Sequence, residues 1–168
     1  MCGIVGYVGT QGAAAVILAG LHRLEYRGYD SAGLAVLDPR DGMSVRRNVG
    51  KLTNLEATCA ESPVAGTIGI GHTRWATHGK PSEINSHPHL DCSGRTVVIH
   101  NGIVENFLPL REELGAAGHT FQSETDTEVI VHLVEEYMNE GFDLEEAARR
   151  AVSRLQGAHG IVLMSAEA

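Results

Sequence analysis

The chain has 168 residues, 43% hydrophobic and 20% charged, with a formal net charge of −8 and three cysteines. That length fits one domain with a core of its own. The acidic balance argues against nucleic acid and anionic membrane surfaces as partners. No apolar run reaches transmembrane length, and the N-terminus lacks the basic and apolar regions of a signal peptide. An odd number of cysteines does not make a secreted disulfide framework, so a reducing, cytoplasmic setting is expected.

Ile4–Val8 reads as a short buried strand bounded by glycines. Ala13–Leu24 carries a helical stripe of Ile17, Leu18, Leu21 and Leu24. Ala32–Leu37 and Met43–Val49 read as strands, joined into a hairpin by the turn residues Asp38-Pro39-Arg40-Asp41-Gly42. Leu52, Leu55 and Cys59 share helical spacing, which places Cys59 in the core. Thr67–His72 and Thr96–His100 are further strands. Between them His78–Asp91, with Pro81 and Pro88, reads as a long functional loop. Two helices follow, marked by Phe107, Leu110 and Leu114 and by Val129, Ile130, Leu133, Val134 and Tyr137. Asp143 and Glu146 open a last helix through Leu155, and Ile161–Met164 is a final strand. Hairpins and runs of adjacent strands favour an α+β layered fold over a regular βαβ series. A strand so close to the last residue is expected to lack a neighbour, as if the sheet continued beyond it.

The chemistry gathers in a few segments. Cys2 in Met1-Cys2-Gly3-Ile4-Val5-Gly6 would, once Met1 is removed, hold a thiol and a free α-amine on one carbon. An N-terminal amine is a known base for the nucleophile beside it, with a reference pKa of roughly 7.7–8.0. The competing reading is a small buried thiol. Asn101-Gly102, at a strand end, offers a side-chain amide and an unhindered N–H to a tetrahedral oxyanion, or is a plain turn. Arg74 is placed to grip a substrate carboxylate, or is a surface arginine. Asp126 would meet a substrate ammonium. Thr125 and Glu128 also have the spacing of a capping box, with Asp126 in the first helical turn. His87, His89 and Cys92 match no standard zinc spacing, so no metal or cofactor is expected.

Together Cys2-Gly3-Ile4-Val5-Gly6, Arg23–Ser31, His72–Gly79, Asn85-Ser86-His87-Pro88-His89 and His100-Asn101-Gly102 resemble the N-terminal glutaminase domains of the glutamine–fructose-6-phosphate aminotransferases, which are class II amidotransferases. The resemblance spans the whole chain. It implies an N-terminal-nucleophile hydrolase sandwich, two antiparallel sheets between helix layers. It implies one partial glutaminase domain over residues 1–168, incomplete at its C-terminus and without sugar-isomerase domains. It further implies that Cys2 attacks the side-chain amide of L-glutamine and that Asn101 and Gly102 hold the oxyanion. Arg74 would bind the glutamine carboxylate, with Thr77 and His78 lining that pocket, and Asp126 would bind its ammonium. Arg27 would orient the N-terminal cysteine, and Trp75 would lie on a loop gating ammonia. Fructose 6-phosphate would be reached only through the absent isomerase domains, in a parent enzyme that is a homo-oligomer. The alternatives are a non-catalytic glutamine-binding or interaction module, or a class II amidotransferase with another acceptor.

Overall fold

The computed structural model describes residues 2–27, the side chain of Arg27 excepted, and 30–167. Gly28, Tyr29, the Arg27 side chain and the Met1 terminus, each bearing on an expectation above, lie outside the described residues.

Four strands form one antiparallel sheet: β1 (Gly3–Val8), β2 (Ser31–Asp38), β3 (Gly42–Val49) and, after two helices, β4 (Ile68–Arg74). Their spatial order is β1-β4-β2-β3. The β2–β3 hairpin closes where Asp38 Oδ1 accepts the N–H of Arg40 at 2.7 Å and of Asp41 at 3.3 Å, the aspartate turn its sequence promised. A second antiparallel sheet contains β5 (His89–Leu90), β6 (Thr96–Gly102) and β7 (His159–Ser165), in that order. Among the described residues β7 is hydrogen-bonded to β6 on one side only. Among the described residues there are five α-helices, α1 (Ala13–His22), α2 (Leu52–Glu61), α3 (Phe107–Ala116), α4 (Glu128–Asn139) and α5 (Leu144–Arg154), and a single 3-10 turn at Glu25–Arg27.

Strand alternation sorts the apolar side chains into three cores, and these define four layers. Ala32, Leu34 and Val36 of β2 face Ile17 and Leu21 of α1 and Leu52 and Leu55 of α2, with Cys59 packed alongside. The alternate residue Ala35 turns the other way, onto Val97 and Ile99 of β6 and Met164 of β7, and welds the sheets together. Val98 points to the far face, where α3, α4 and α5 pack through Leu110, Leu114, Ile130, Leu133 and Ala147. Each such large side chain, fully buried, stabilises the fold by about 1.5–3 kcal/mol. The expected helix–sheet–sheet–helix sandwich is therefore present. No helix among the described residues is long and apolar enough to cross a membrane.

Three local expectations change. The apolar pattern ended the strands at His72 and His100, but pairing carries β4 on to Arg74 and β6 on to Gly102. The loop of residues 78–91 yields its end to β5, because His89 and Leu90 pair with Val98 and Val97. The capping box does not form: α4 starts at Glu128, and its carboxylate instead accepts the N–H groups of Gln122 and Ser123, each at 2.7 Å. Asp126 thus precedes the helix. Asp143 does cap α5, accepting from the Glu146 N–H at 2.9 Å.

Candidate active site

Register puts the chemistry at one end of the sandwich. Gly3 of β1 faces Thr73 of β4, so Cys2 stands where β4 delivers Arg74. The Gly3 N–H donates to Thr73 Oγ1 at 3.2 Å and fixes that corner. From the second sheet β6 brings Asn101 and Gly102 to the same place. The segment before α4 adds Thr125 and Asp126. Between them opens a cavity of about 580 Å³, within the range of small-molecule pockets.

Cys2 is held at the mouth. The Trp75 N–H donates to its Sγ at 3.2 Å, and its carbonyl accepts from Asn101 Nδ2 at 3.1 Å. Burial pushes the Cys2 thiol above its ordinary pKa, against the opposing pull of the Trp75 N–H and the Arg74 charge. It is mainly protonated at neutral pH and needs a base to become a nucleophile. Asn101 is oriented from behind, where His72 Nε2 lies 2.9 Å from its Oδ1. Burial lowers His72 to about 4, so the ring is neutral and donates that proton to Oδ1, turning the amide nitrogen toward Cys2. One Nδ2–H remains for a ligand. Gly102 has φ of +136°, and a Cβ there would collide with the Ala158 carbonyl oxygen, so only glycine fits.

Arg74 is 4% exposed. Its Nη2 donates to the carbonyl oxygens of His78 and, at 3.1 Å, Gly79. Its Nη1 is buried without a hydrogen-bond partner among the described residues. Leaving such a donor unmade costs about 1–3 kcal/mol or more, a debt that an anionic ligand in the adjoining cavity would cancel. Asp126 is also buried. Its Oδ2 accepts the Val104 N–H at 2.7 Å, and its Oδ1 lies 3.8 Å from His78 Nδ1. An unpaired guanidinium nitrogen and a carboxylate on one wall suit a ligand with a carboxylate and an ammonium.

The structure therefore brings Cys2, Arg74, Trp75, Thr77, Asn101, Gly102 and Asp126 to one cavity. His78 stands beside it: its carbonyl steadies Arg74 and its ring meets Phe107 edge-on at 5.2 Å. Trp75 is 49% exposed at the rim.

Two contributors escaped the sequence reading. Asp30 accepts the Ala76 N–H with Oδ2, while its own N–H donates to the Arg74 carbonyl at 3.2 Å, so one residue brackets the loop behind Cys2. Its place in Arg27–Ser31 was the available signal. The second is a stack of buried histidines behind the cavity. The rings of His72 and His87 lie 4.3 Å apart, and the His100 N–H donates to His87 Nδ1 at 3.3 Å. Burial holds His100 at about 4 and His89 at about 3, and takes His87 well below its ordinary value. The wall is uncharged at neutral pH. Histidines at the ends of two apolar strands were its trace in the sequence.

The family profile described as a glutamine amidotransferase domain matches residues 43–167. The glutamine–fructose-6-phosphate aminotransferase [isomerizing] of Streptomyces coelicolor is 56% identical over 169 aligned positions, covering 100% of this chain and 27% of the relative. The enzyme of that name from Escherichia coli K12 is 56% identical over 98% of this chain and 27% of its own length. The chain thus spans about a quarter of these curated relatives. Among solved structures, the glutamine phosphoribosylpyrophosphate amidotransferase of B. subtilis superposes with a TM-score of 0.84 at 28% identity, covering 99% of this chain and 35% of that one. The four-layer sandwich is the N-terminal-nucleophile hydrolase fold of such amidotransferase domains.

Proposed function

The chain belongs to the glutamine amidotransferase domain family, and on that premise we propose that it hydrolyses the side-chain amide of glutamine through a thioester on Cys2. One observation carries the reading: Cys2, Arg74, Asn101 and Asp126 line a single cavity, and Arg74 keeps one guanidinium nitrogen without a partner among the described residues. Arg74 takes the glutamine carboxylate and Asp126 its ammonium, which lays the side-chain amide toward Cys2. With Met1 removed, the α-amine of Cys2 accepts the thiol proton. Sulfur then attacks the amide carbon. The oxyanion draws on the free Nδ2–H of Asn101 and the N–H of Gly102. The C–N bond breaks as the protonated amine returns its proton to the departing nitrogen, and ammonia leaves. Water, deprotonated by the same amine, cleaves the thioester to glutamate. Thr77 and His78 shape the carboxylate end, Arg27 orients the N-terminal cysteine, and Trp75 covers the exit of ammonia.

In a longer protein that ammonia would serve the conversion of fructose 6-phosphate to glucosamine 6-phosphate, in a homo-oligomer of a reducing cytoplasm. The support is the 56% identity to two aminotransferases of that name, against 28% to the phosphoribosylpyrophosphate enzyme. The test is release of glutamate and ammonia from glutamine by protein whose intact mass shows Met1 removed. Cys2→Ala is expected to lose on the order of 10⁴-fold or more in turnover. Equal rates for the two proteins would reject the assignment.

A further inference from the structure

Helix α4 is enclosed by β5 and β6, by α3 and by α5, and it buries polar side chains among its apolar ones: Glu128, His132 and Glu135. Buried polar groups need partners. Those of His132 and Glu135, one helical turn apart on a shared face, are unusual. Cys92, in the turn between β5 and β6, lies 3.6 Å through its Sγ from His132 Nδ1. The same Sγ is 3.7 Å from Nδ1 of His119, which follows α3. Glu135 Oε2 lies 3.0 Å from His119 Nδ1 and 3.2 Å from His132 Nδ1. All four donor atoms fall within 4.8 Å of one another.

These separations have a recognisable geometry. A zinc ion with Zn–S of about 2.3 Å and Zn–N or Zn–O near 2.0–2.1 Å has tetrahedral edges of about 3.6 Å from S to N and about 3.3 Å from N to O. The two sulfur–nitrogen edges, 3.6 and 3.7 Å, and the two nitrogen–oxygen edges, 3.0 and 3.2 Å, are close to these values, and the other two pairs lie within 4.8 Å.

The far side of each ring points the same way, because each Nε2 faces a further carboxylate. His119 Nε2 has Glu136 Oε2 at 2.7 Å, and His132 Nε2 lies 3.6 Å from Glu128 Oε1, beyond hydrogen-bond distance. Carboxylates behind the rings are the usual support of zinc-ligating histidines. The Cys92 N–H donates to Glu135 Oε2 at 3.1 Å and the Thr120 N–H to Cys92 Sγ at 3.4 Å, so the two anionic ligands are themselves steadied.

We propose that Cys92, His119, His132 and Glu135 form a tetrahedral zinc site that clamps helix α4 to the β5–β6 turn. Thiolate, two imidazoles and a carboxylate suit Zn²⁺, and four protein ligands make a closed, structural centre. Binding transfers the Cys92 thiol proton to solvent and leaves the ion and its two anionic ligands neutral overall. Cys92 is exposed and gives the ion a way in. The clamp reaches the cavity wall through Glu128, which faces His132 and also accepts from Ser123 Oγ at 2.6 Å, just before Thr125 and Asp126. The proposal stands whether or not the chain hydrolyses glutamine.

The test uses the whole chain with Cys2→Ala, so that the pocket thiol cannot bind metal, stripped with a chelator and titrated with Zn²⁺ or Co²⁺ alone. One equivalent is expected to bind and to raise the thermal midpoint. The Co²⁺ form should show a thiolate charge-transfer band and the strong visible bands of tetrahedral cobalt. Adding Cys92→Ser should abolish the charge-transfer band. It should weaken Zn²⁺ by more than about 100-fold, beyond the 10–100-fold typical of outer partners. Cys59→Ser should change neither. Failure to bind one equivalent, or a charge-transfer band that survives Cys92→Ser, overturns the proposal.

Discussion

Cys2 and Cys92 each stand beside histidines, but the two sets are partnered differently. Around the cavity His72, His87, His89 and His100 meet one another, threonines and an amide. Burial strips their charge, and they act as a neutral frame that aims Asn101. Around Cys92 both histidines lie between carboxylates, Glu135 on one ring nitrogen and Glu136 or Glu128 on the other. That company favours positive charge at the centre of the cluster. The same side chain thus serves as inert wall or as ligand according to whether amides or acids complete its hydrogen bonds.

Asn101→Ala should separate the two regions most strongly. It is expected to lower kcat for glutamine hydrolysis by about 10²–10³-fold, and to leave the cobalt spectrum of the Cys92 cluster untouched. Steady-state kinetics beside metal titration checks both. Arg74→Lys keeps the charge but loses the fork, and should raise KM for glutamine by about 10–100-fold with a smaller change in kcat. On the other side, Glu136→Gln should weaken Zn²⁺ by about tenfold, the low end for an outer partner, because Glu136 is partly exposed. Competition with a chromophoric chelator reads that value.

Acid should strike the cavity frame. His72 and His100 sit at about 4 and His89 at about 3 in the folded protein, against roughly 6.5 unfolded. Between those values the unfolded chain binds more protons, so stability is full above pH about 6.5 and falls as the pH drops toward 4. Each fully titrating histidine contributes up to about 1.4 kcal/mol per pH unit. Thermal melts from pH 7 to 4.5 should show a steep decline. A flat profile would mean that these rings are charged in the native state.

Much of the cavity was readable because its residues sit in local motifs at strand ends: Cys2 before β1, Arg74 closing β4, Asn101-Gly102 closing β6. The α+β class followed from hairpins and adjacent strands, but the layers came only with the family resemblance; the alternation that builds them, Leu34 and Val36 against Ala35, is seen in the structure. The Cys92 cluster was hidden because its ligands come from three separate parts of the chain. Worse, the visible neighbours of Cys92 were decoys. His87 and His89 turn into the cavity frame, and His132 with Glu135 was masked by the apolar stripe from Val129 to Tyr137. The capping box failed for a related reason: local spacing allowed Glu128 to reach back to Thr125, but tertiary placement gave its oxygens the backbone of Gln122 and Ser123.

Gly33 sits in β2, just after the segment that carries Asp30. Opposite its missing side chain lies the His87 carbonyl oxygen, so close that a Cβ would collide with it and press on the Arg46 carbonyl as well. One methyl at this point would be a shim driven between the halves of the sandwich. It would press on the segment that stacks the His87 ring on His72, the ring that holds Asn101 Oδ1 at 2.9 Å. The setting of the Asn101 amide beside Cys2 is thus a matter of spacing between the sheets, where a hydrogen atom stands in for a side chain.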